Sequence, residues 1–283
     1  MVILRLAGLC FLLVLGYAVF AHQLFAQDGP HLLPAPKLSL PDAPKVNLPD
    51  APKPTAKFPG NDLTGIGPVD LRTTVDQNVM PWRAVGRLVI SGASCTGALV
   101  APALLLTAAH CVFSPQTRQL VPPSSLHFML AYSEGRYQAE AFGTHITVPD
   151  DYDPVLGIGT MGNDWALVRL DHAIGQSDGF IPLSAHAPTA GVEVALGGYA
   201  KDHIEFLTVD LHCHVLGLIL DQKGMPLIHH DCMATHGVSG APLLMHGEAG
   251  WTIGGIEVVG TSNAGGGASA LYDVITAMAK IAK

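Results

Sequence analysis

The sequence predicts an all-β protein, on the basis of its composition and the spacing of its apolar runs. Of the 283 residues, 49% are hydrophobic and only 13% are charged, and the chain contains 31 Gly and 21 Pro. This balance is typical of a turn-rich β protein rather than of a helical bundle or a disordered chain. The formal net charge of −8 argues against a nucleic-acid partner, because binding to phosphates requires basic patches.

After a glycine-containing hinge at residues 61–68, short apolar runs alternate with Gly, Pro, Asp and Ser. Strands at this spacing indicate a barrel or a sandwich. The predicted strands are Ala84–Ser91, Ser94–Val100, Leu104–Thr107, Leu126–Tyr132, Tyr137–Phe142, Trp165–Leu170, Val192–Leu196, Phe206–Leu220, Leu227–His230, Ala241–Met245, Trp251–Val259 and Ala268–Tyr272. A closing amphipathic helix is predicted at Asp273–Lys283, because an N-cap precedes apolar residues at helical spacing.

Residues 1–26 have the pattern of a secretory signal peptide. Arg5 precedes the apolar run Leu6–Phe20, which is shorter than the roughly 20 residues that a membrane-spanning helix needs. Ala21 and Ala26 mark two alternative cleavage positions. The other interpretation is an uncleaved membrane anchor, and only in that case do we expect the protein to contact a membrane.

Residues 27–61 form a Pro-rich segment that contains a repeat, Leu40–Lys45 followed by Leu48–Lys53. Proline at this density blocks helix and sheet and favours an extended polyproline conformation. We interpret the segment as a disordered linker or stalk, or as a removable pro-segment. It precedes one folded domain over residues 62–283.

Four cysteines follow the signal peptide: Cys95, Cys111, Cys213 and Cys232. An even number of cysteines in an exported protein implies two disulfides, in any of three pairings. Together with the signal peptide, they predict a secreted or periplasmic location.

Three motifs supply the residue types of a nucleophilic triad. His110, in Thr107-Ala108-Ala109-His110-Cys111, follows a strand and titrates near neutral pH, as a general base requires. Asp164 precedes the apolar strand start Trp165-Ala166-Leu167, where a poorly solvated carboxylate orients an imidazole. Ser239, in Gly237-Val238-Ser239-Gly240-Ala241-Pro242, lies in a tight turn where a hydroxyl and two N–H groups converge. The order His, Asp, Ser is one of the known triad orders.

On these motifs and Pro81–Gly86, the chain from about Val69 to Lys283 resembles the chymotrypsin-fold (trypsin-like) serine peptidases. It is most similar to the bacterial secreted branch that includes the glutamyl endopeptidases. The resemblance implies two six-stranded antiparallel β-barrels with the active site in the cleft between them. It also implies a monomeric endopeptidase that acts on proteins or peptides and needs no cofactor.

The resemblance assigns roles to the motif residues. His110 is the base, Asp164 orients it, Ser239 is the nucleophile, and the N–H groups of Gly237 and Ser239 form the oxyanion hole. Together with proximity in the sequence, it favours the pairings Cys95–Cys111 and Cys213–Cys232. Val238 stands where zymogen-activated members carry an aspartate, so we expect no activation through that ion pair.

The resemblance also implies an S1 pocket, which holds the P1 side chain on the N-terminal side of the cleaved bond. Met233 is expected at its base, and the strand Gly254–Gly260 at one wall. Glu257 stands where glutamyl endopeptidases carry a histidine, and a carboxylate there repels an acidic P1 side chain. We therefore predict Arg or Lys at P1. If Glu257 points away or is salt-bridged, the pocket is apolar instead.

Other interpretations of the sequence remain. The protein is alternatively a catalytically silent, protease-fold binding protein tethered by its Pro-rich stalk, although a binding module has no need of a complete triad. Asp150–Asp153 and the pair His212 and His214 offer metal ligands. Neither group has a complete ligand pattern, so we predict no metal site.

Overall fold

We describe the fold from a computed structural model, which describes residues 65–90, 92–175, 179–261 and 264–281. The assignments of residues 1–26 to a signal peptide and of 27–61 to a Pro-rich segment lie outside the described residues. Within those ranges, no helix is both long and apolar enough to cross a bilayer.

The first barrel is built from strands that are apolar on their inner face. The two-residue strand β1 (Thr73–Thr74), which the sequence did not predict, precedes it. The barrel strands are β2 (Val85–Ile90), β3 (Ala93–Ala101), β4 (Leu104–Thr107), β5 (Leu126–Leu130), β6 (Ala139–Thr147) and β7 (Ala166–Leu170). They close in the antiparallel order β2-β3-β4-β7-β6-β5. Leu88 pairs with Cys95 on one side and with Phe128 on the other, and the interior is filled by fully buried Leu and Phe side chains.

The second barrel follows the same principle. Its strands are β8 (Glu193–Gly198), β9 (Thr208–Leu220), β10 (Pro226–His230), β11 (Pro242–Gly247), β12 (Gly250–Gly260) and β13 (Gly266–Ala270). They run in the order β9-β10-β13-β12-β11-β8, and the β8–β9 pairing closes the ring. Strand β1 adds to the outside of β9 through Thr73 and Thr74.

The chain ends in helix α1 (Val274–Ile281). Val274 is fully buried, and Arg169 Nη2 on β7 donates a hydrogen bond to the Ile281 carbonyl at 2.7 Å. The helix therefore packs back onto the first barrel. The predicted fold class, two six-stranded antiparallel β-barrels with a C-terminal helix, is confirmed.

Each predicted strand has an observed counterpart, and most bounds differ by one or two residues. The largest difference is β6, predicted at Tyr137–Phe142 and observed at Ala139–Thr147. Its second half contains Gly143, Thr144 and His145, which give no apolar run. Pairing with β7 nevertheless keeps this half extended, because backbone hydrogen bonds do not depend on hydrophobic side chains.

Candidate active site

His110 is mounted where β4 ends in the first barrel. The strand runs into a short 3-10 helix, Ala109–Val112, in which the residues beside His110 are buried. A disulfide joins Cys95 on β3 to Cys111, next to His110. The turn is thus anchored by packing and by a covalent link, which leaves the imidazole little freedom to move.

Asp164 holds His110 through both of its carboxylate oxygens. Oδ2 lies 2.7 Å from His110 Nδ1, and Oδ1 accepts the His110 backbone N–H at 2.8 Å. The Asp164 side chain is only 6% exposed, whereas that of His110 is 35% exposed. Because the carboxylate accepts the Nδ1 proton, the neutral imidazole presents the lone pair of Nε2 on its outer side.

The surroundings of His110 change its basicity in two opposing ways. Burial alone lowers the pKa of His110, but the charge and hydrogen bond of Asp164 outweigh burial, and the charge of Glu257 adds to them. The pKa of His110 is therefore held above its usual value. A raised pKa makes the imidazole a stronger base at neutral pH and stabilises the imidazolium once it forms.

The turn that carries Ser239 requires a glycine on each side of the Val238–Ser239 pair. Gly237 has a φ of +96° and Gly240 a φ of +82°, a region that other residues rarely adopt. A Cβ on Gly237 would lie 2.4 Å from the Tyr199 carbonyl oxygen, and one on Gly240 would lie 2.2 Å from Thr107 Oγ1. The Gly240 contact packs the serine turn against the end of β4, next to the residues that lead into His110.

Thr96 on β3 fastens the serine turn to the first barrel. Its hydroxyl donates to the Gly237 carbonyl at 2.9 Å and accepts the Tyr199 N–H at 2.9 Å. Its backbone N–H donates to the Ser239 carbonyl at 2.8 Å. Thr107 Oγ1 in turn donates to the Thr96 carbonyl at 2.7 Å. Sequence reasoning missed Thr96, because a threonine in an apolar strand carries no motif.

The backbone of the serine turn leaves two donors available. Within the described part of the chain, the N–H groups of Gly237 and Ser239 donate to no protein acceptor. Free N–H groups on both sides of Val238 are what an oxyanion hole requires. Among the same residues, no hydrogen bond joins Ser239 Oγ to His110, and Cys111 Sγ lies 3.9 Å from the Ser239 carbonyl oxygen.

The three residues predicted for the S1 pocket occupy different environments. Met233 is buried; its sulfur accepts the Leu71 N–H at 3.2 Å, and its own N–H donates to Asp210 Oδ2 at 3.0 Å. Glu257 is buried and lies 2.7 Å from His230. Gly260 faces the Ala234 carbonyl oxygen, which a Cβ on Gly260 would approach to 2.9 Å.

A second disulfide, Cys213–Cys232, joins β9 to the segment that leads to the serine turn. Both observed disulfides are the pairings that the family resemblance implies. Cys232 also donates its backbone N–H to His230 Nδ1 at 3.2 Å. His230 was not singled out from the sequence, because it is one of several histidines late in the chain.

His110 also lines a cavity of about 730 Å³. Its lining is largely apolar and includes Ile90, Phe113 and Tyr152, with Arg118 as the one charged side chain besides His110 among the described lining residues. Arg118 donates to the Pro154 carbonyl.

Among the described residues, potential metal ligands cluster in three places. Two of the clusters contain disulfide-bonded cysteines, whose sulfurs are not free to coordinate. The third combines Asp70, Asp202 and His203, but both carboxylates are bound by the guanidinium of Arg72.

Comparison with known proteins identifies the family. The chain matches the family described as Trypsin over residues 71–283. It is 27% identical to human Kallikrein-4 over an alignment of 184 residues that covers 59% of this chain and 68% of that protein.

Two solved structures share the fold. A Glu endopeptidase in complex with MPD is 24% identical, with a TM-score of 0.63 over 76% of this chain and 99% of the other. The thermostable serine protease AL20 from an extremophilic microorganism is 17% identical, with a TM-score of 0.54 over 66% of this chain and 91% of the other. Identities this low show the fold alone, whereas the Trypsin match covers most of the sequence. This chain therefore belongs to the trypsin family and is a serine endopeptidase.

Proposed function

We propose that this protein is an exported endopeptidase that cleaves proteins or peptides through an acyl-enzyme intermediate on Ser239. The observation that carries the proposal is the bidentate contact between Asp164 and His110, with N···O distances of 2.7 and 2.8 Å. It fixes the tautomer and the orientation that a general base needs. The serine turn, packed against the end of β4, brings the nucleophile to the same side of the first barrel.

In the first half of the reaction, His110 Nε2 takes the proton of Ser239 Oγ as this oxygen attacks the substrate carbonyl. The carbonyl oxygen becomes an oxyanion, which accepts hydrogen bonds from the N–H groups of Gly237 and Ser239. Asp164 stabilises the imidazolium. The C–N bond then breaks, and the proton on Nε2 passes to the leaving amine, so that an ester to Ser239 remains.

In the second half, a water molecule replaces the amine. His110 Nε2 removes its proton while the water oxygen attacks the ester carbonyl, and the same two N–H groups stabilise the second oxyanion. The C–Oγ bond breaks, Ser239 Oγ recovers the proton from Nε2, and the product acid leaves. Each half is thus a proton transfer through one imidazole, and no external acid, base or metal is required.

The proposal includes the organisation of the whole chain. Residues 1–26 direct export and are removed after Ala21 or Ala26, residues 27–61 serve as a linker or pro-segment, and residues 62–283 form the peptidase domain. Two disulfides in the described domain fit an oxidising compartment. Secretion or release into a periplasm meets that requirement, and the domain acts as a monomer.

A fluorophosphonate probe tests the proposal, because it reacts only with an activated serine. We expect one adduct on Ser239, located by peptide mass spectrometry, and no adduct on the Ser239→Ala variant. Labelling should decrease as the pH falls through the raised pKa of His110, since the protonated imidazole no longer accepts a proton. Lack of labelling in the folded, disulfide-bonded protein, both with and without the Pro-rich segment, would contradict the proposal.

Trimming separates the alternative functions. If the full-length protein does not label, the measurement is repeated after removal of residues up to about Asn61. Labelling that appears only after trimming identifies a latent enzyme that is activated by loss of the Pro-rich segment. If neither form labels, the protein is a binding module with a peptidase fold.

A further inference from the structure

The outer face of the second barrel carries two histidines that the proposed reaction does not use. His212 and His214 are exposed on β9, whereas Cys213 between them and Val215 after them are buried. Since successive residues of a strand point to opposite faces, both imidazoles lie on the solvent side. Positions two apart on a strand are separated by about 7 Å. Two imidazoles can meet at one ion from this spacing, because a metal–nitrogen bond adds about 2.1 Å to the reach of each ring.

Folding adds the third ligand that the sequence pattern lacked. Glu193, at the start of β8, pairs with His214 in the antiparallel register, and the Cβ atoms of directly opposite residues lie about 5 Å apart. Glu193 Oε1 also lies 2.9 Å from His212 Nδ1. The pKa of Glu193 is held below its usual value, chiefly by the hydrogen bond of His212 and also by the charges of both histidines. One carboxylate is thus within reach of both imidazoles.

The backbone that carries the two histidines is already fixed. Cys213, which stands between them, is held by its disulfide. Asp231 holds His214 on two sides, because its Oδ1 accepts the His214 N–H and its own N–H donates to the His214 carbonyl at 3.1 Å. Asp210 Oδ1 accepts the His212 N–H at 3.3 Å. Binding of an ion therefore requires only side chains to turn, which keeps the loss of conformational entropy small.

The charges around this face favour a cation. A cavity of about 460 Å³ borders His212 and is lined also by Asp210 and Asp231, and no lysine or arginine is among its described lining residues. These two carboxylates add negative potential beside the ligands. The side chains of His212 and Glu193 are 83% and 60% exposed, so an ion reaches them directly from solvent.

We propose that His212, His214 and Glu193 bind one Zn²⁺ ion on the outer face of the second barrel. Two imidazole nitrogens and one carboxylate oxygen suit zinc, with a water molecule in the fourth position. The ion replaces the hydrogen bond between His212 and Glu193, so that His212 keeps its proton on Nε2 and offers the lone pair of Nδ1. His214 turns its exposed side chain toward Glu193 to complete the site.

The ion acts as a clamp on the fold. Glu193 belongs to β8 and the two histidines belong to β9, and pairing of these strands closes the ring of the second barrel. An ion that binds the folded protein and not the unfolded chain raises the melting temperature. At a free Zn²⁺ concentration 100 times the dissociation constant, the rise is roughly 5–10 °C for a domain of this size.

The test is a titration of the full-length Ser239→Ala protein with zinc chloride, followed by calorimetry and thermal melting. Without the serine hydroxyl, self-cleavage does not interfere, and the result does not depend on the proposed function. We expect a binding event and a rise in melting temperature that His214→Ala, made in the same background, loses. Glu193→Gln should weaken binding by more than about 10-fold, since even an outer partner of a metal ligand contributes that much.

His172→Ala is the matched control. It removes the histidine of another exposed His–carboxylate pair, in which His172 Nδ1 lies 2.7 Å from Asp171 Oδ1. This variant should bind Zn²⁺ and gain stability as the parent protein does. Equal binding and equal stabilisation in His172→Ala and His214→Ala would overturn the proposal, since any zinc would then be held elsewhere.

A second measurement reports the ligands directly. Co²⁺ in place of Zn²⁺ should give the parent Ser239→Ala protein the intense visible absorption of a tetrahedral site, and His214→Ala should lose this absorption. The same spectrum in both proteins, or only the weak absorption of hydrated Co²⁺ in the parent, would overturn the assignment. The three side chains would then form a surface ion pair beside a histidine and nothing more.

Discussion

Each β-barrel holds a histidine hydrogen-bonded to a carboxylate, and both N···O distances are 2.7 Å. In the first barrel the carboxylate of Asp164 uses both oxygens, and His110 Nε2 faces outwards. In the second barrel His230 uses both nitrogens, and Glu257 Oε1 is left without a partner. The pair in the first barrel therefore leaves an imidazole nitrogen free to act as a base, and the pair in the second barrel leaves a carboxylate oxygen free to accept a hydrogen bond.

The difference arises from which backbone group completes each pair. The His110 N–H satisfies the second oxygen of Asp164, whereas the Cys232 N–H satisfies the second nitrogen of His230. A disulfide stands beside each of these histidines, at Cys111 and at Cys232. Local backbone geometry thus decides whether a His–carboxylate pair leaves an imidazole nitrogen or a carboxylate oxygen without a partner.

The largest effect should follow from Asp164→Asn. An amide presents a donor as well as an acceptor to His110, which allows the wrong tautomer and removes the charge that stabilises the imidazolium. We expect kcat to fall about 10⁴-fold. It is measured from the rate of peptide cleavage, with the active enzyme concentration set by titration of the reactive serine. Asp150→Asn, at an exposed position, should have wild-type activity. A similar kcat for the two variants would show that the His110–Asp164 pair is not the base of the reaction.

The disulfides should contribute equally to stability and differently to activity. They close loops with sequence separations of 16 and 19 residues, and loops of this length are worth about 3 kcal/mol each in the chain-entropy model. We expect the paired serine variants at Cys95 and Cys111 to lose stability and cleavage rate. The variants at Cys213 and Cys232 should lose similar stability but mainly P1 preference. Denaturant unfolding and peptide kinetics measure the two effects, and the comparison is wrong if both variants show the same kinetic defect.

Thr96→Val sharpens the comparison by testing how the serine turn is held to the base. The substitution keeps the shape but removes the donor to Gly237 and the acceptor for Tyr199. We expect kcat to fall on the order of 100-fold with little change in KM, since a small displacement of reacting groups has an effect of this size. Thr96→Ser retains the hydroxyl and should restore kcat. Equal loss in both variants would indicate a packing role only.

The smallest effect should be a pH-dependent change in stability on Glu257→Gln. Because burial raises the pKa of Glu257, the folded protein binds this proton more tightly than the unfolded chain does. The stability that results is complete below the unfolded pKa of about 4.3 and is lost as the pH rises through the folded pKa. The melting temperature of the variant, relative to wild type, should therefore rise between pH 4 and pH 8 by a few degrees, since about 1 kcal/mol corresponds to roughly 2–4 °C at this size.

Glu248→Gln serves as the matched control for this measurement and should follow the wild-type melting curve at every pH. A constant difference between Glu257→Gln and wild type across the pH range would show that Glu257 keeps its ordinary pKa. In that case burial would not have changed the protonation equilibrium of Glu257.

Much of the site could be predicted because its signals are local. His110 follows a strand and precedes a buried cysteine, and Ser239 lies in a turn that needs glycine at positions 237 and 240, so neighbouring residues alone mark both. Strand positions followed from apolar runs for the same reason. The second half of β6 was missed because strand pairing, and not its own residues, keeps it extended.

The sequence by itself thus determined most of the strands, the turn chemistry and the family to which the chain belongs. Only the tertiary structure decided which distant groups meet: Thr96 reaches Gly237 across 141 residues, and His230 reaches Glu257 across an intervening strand. Such contacts depend on register and barrel closure, which no local pattern encodes. The free oxygen of Glu257 is a consequence of that closure, since it exists only where Gly266 lets two side chains meet across β13.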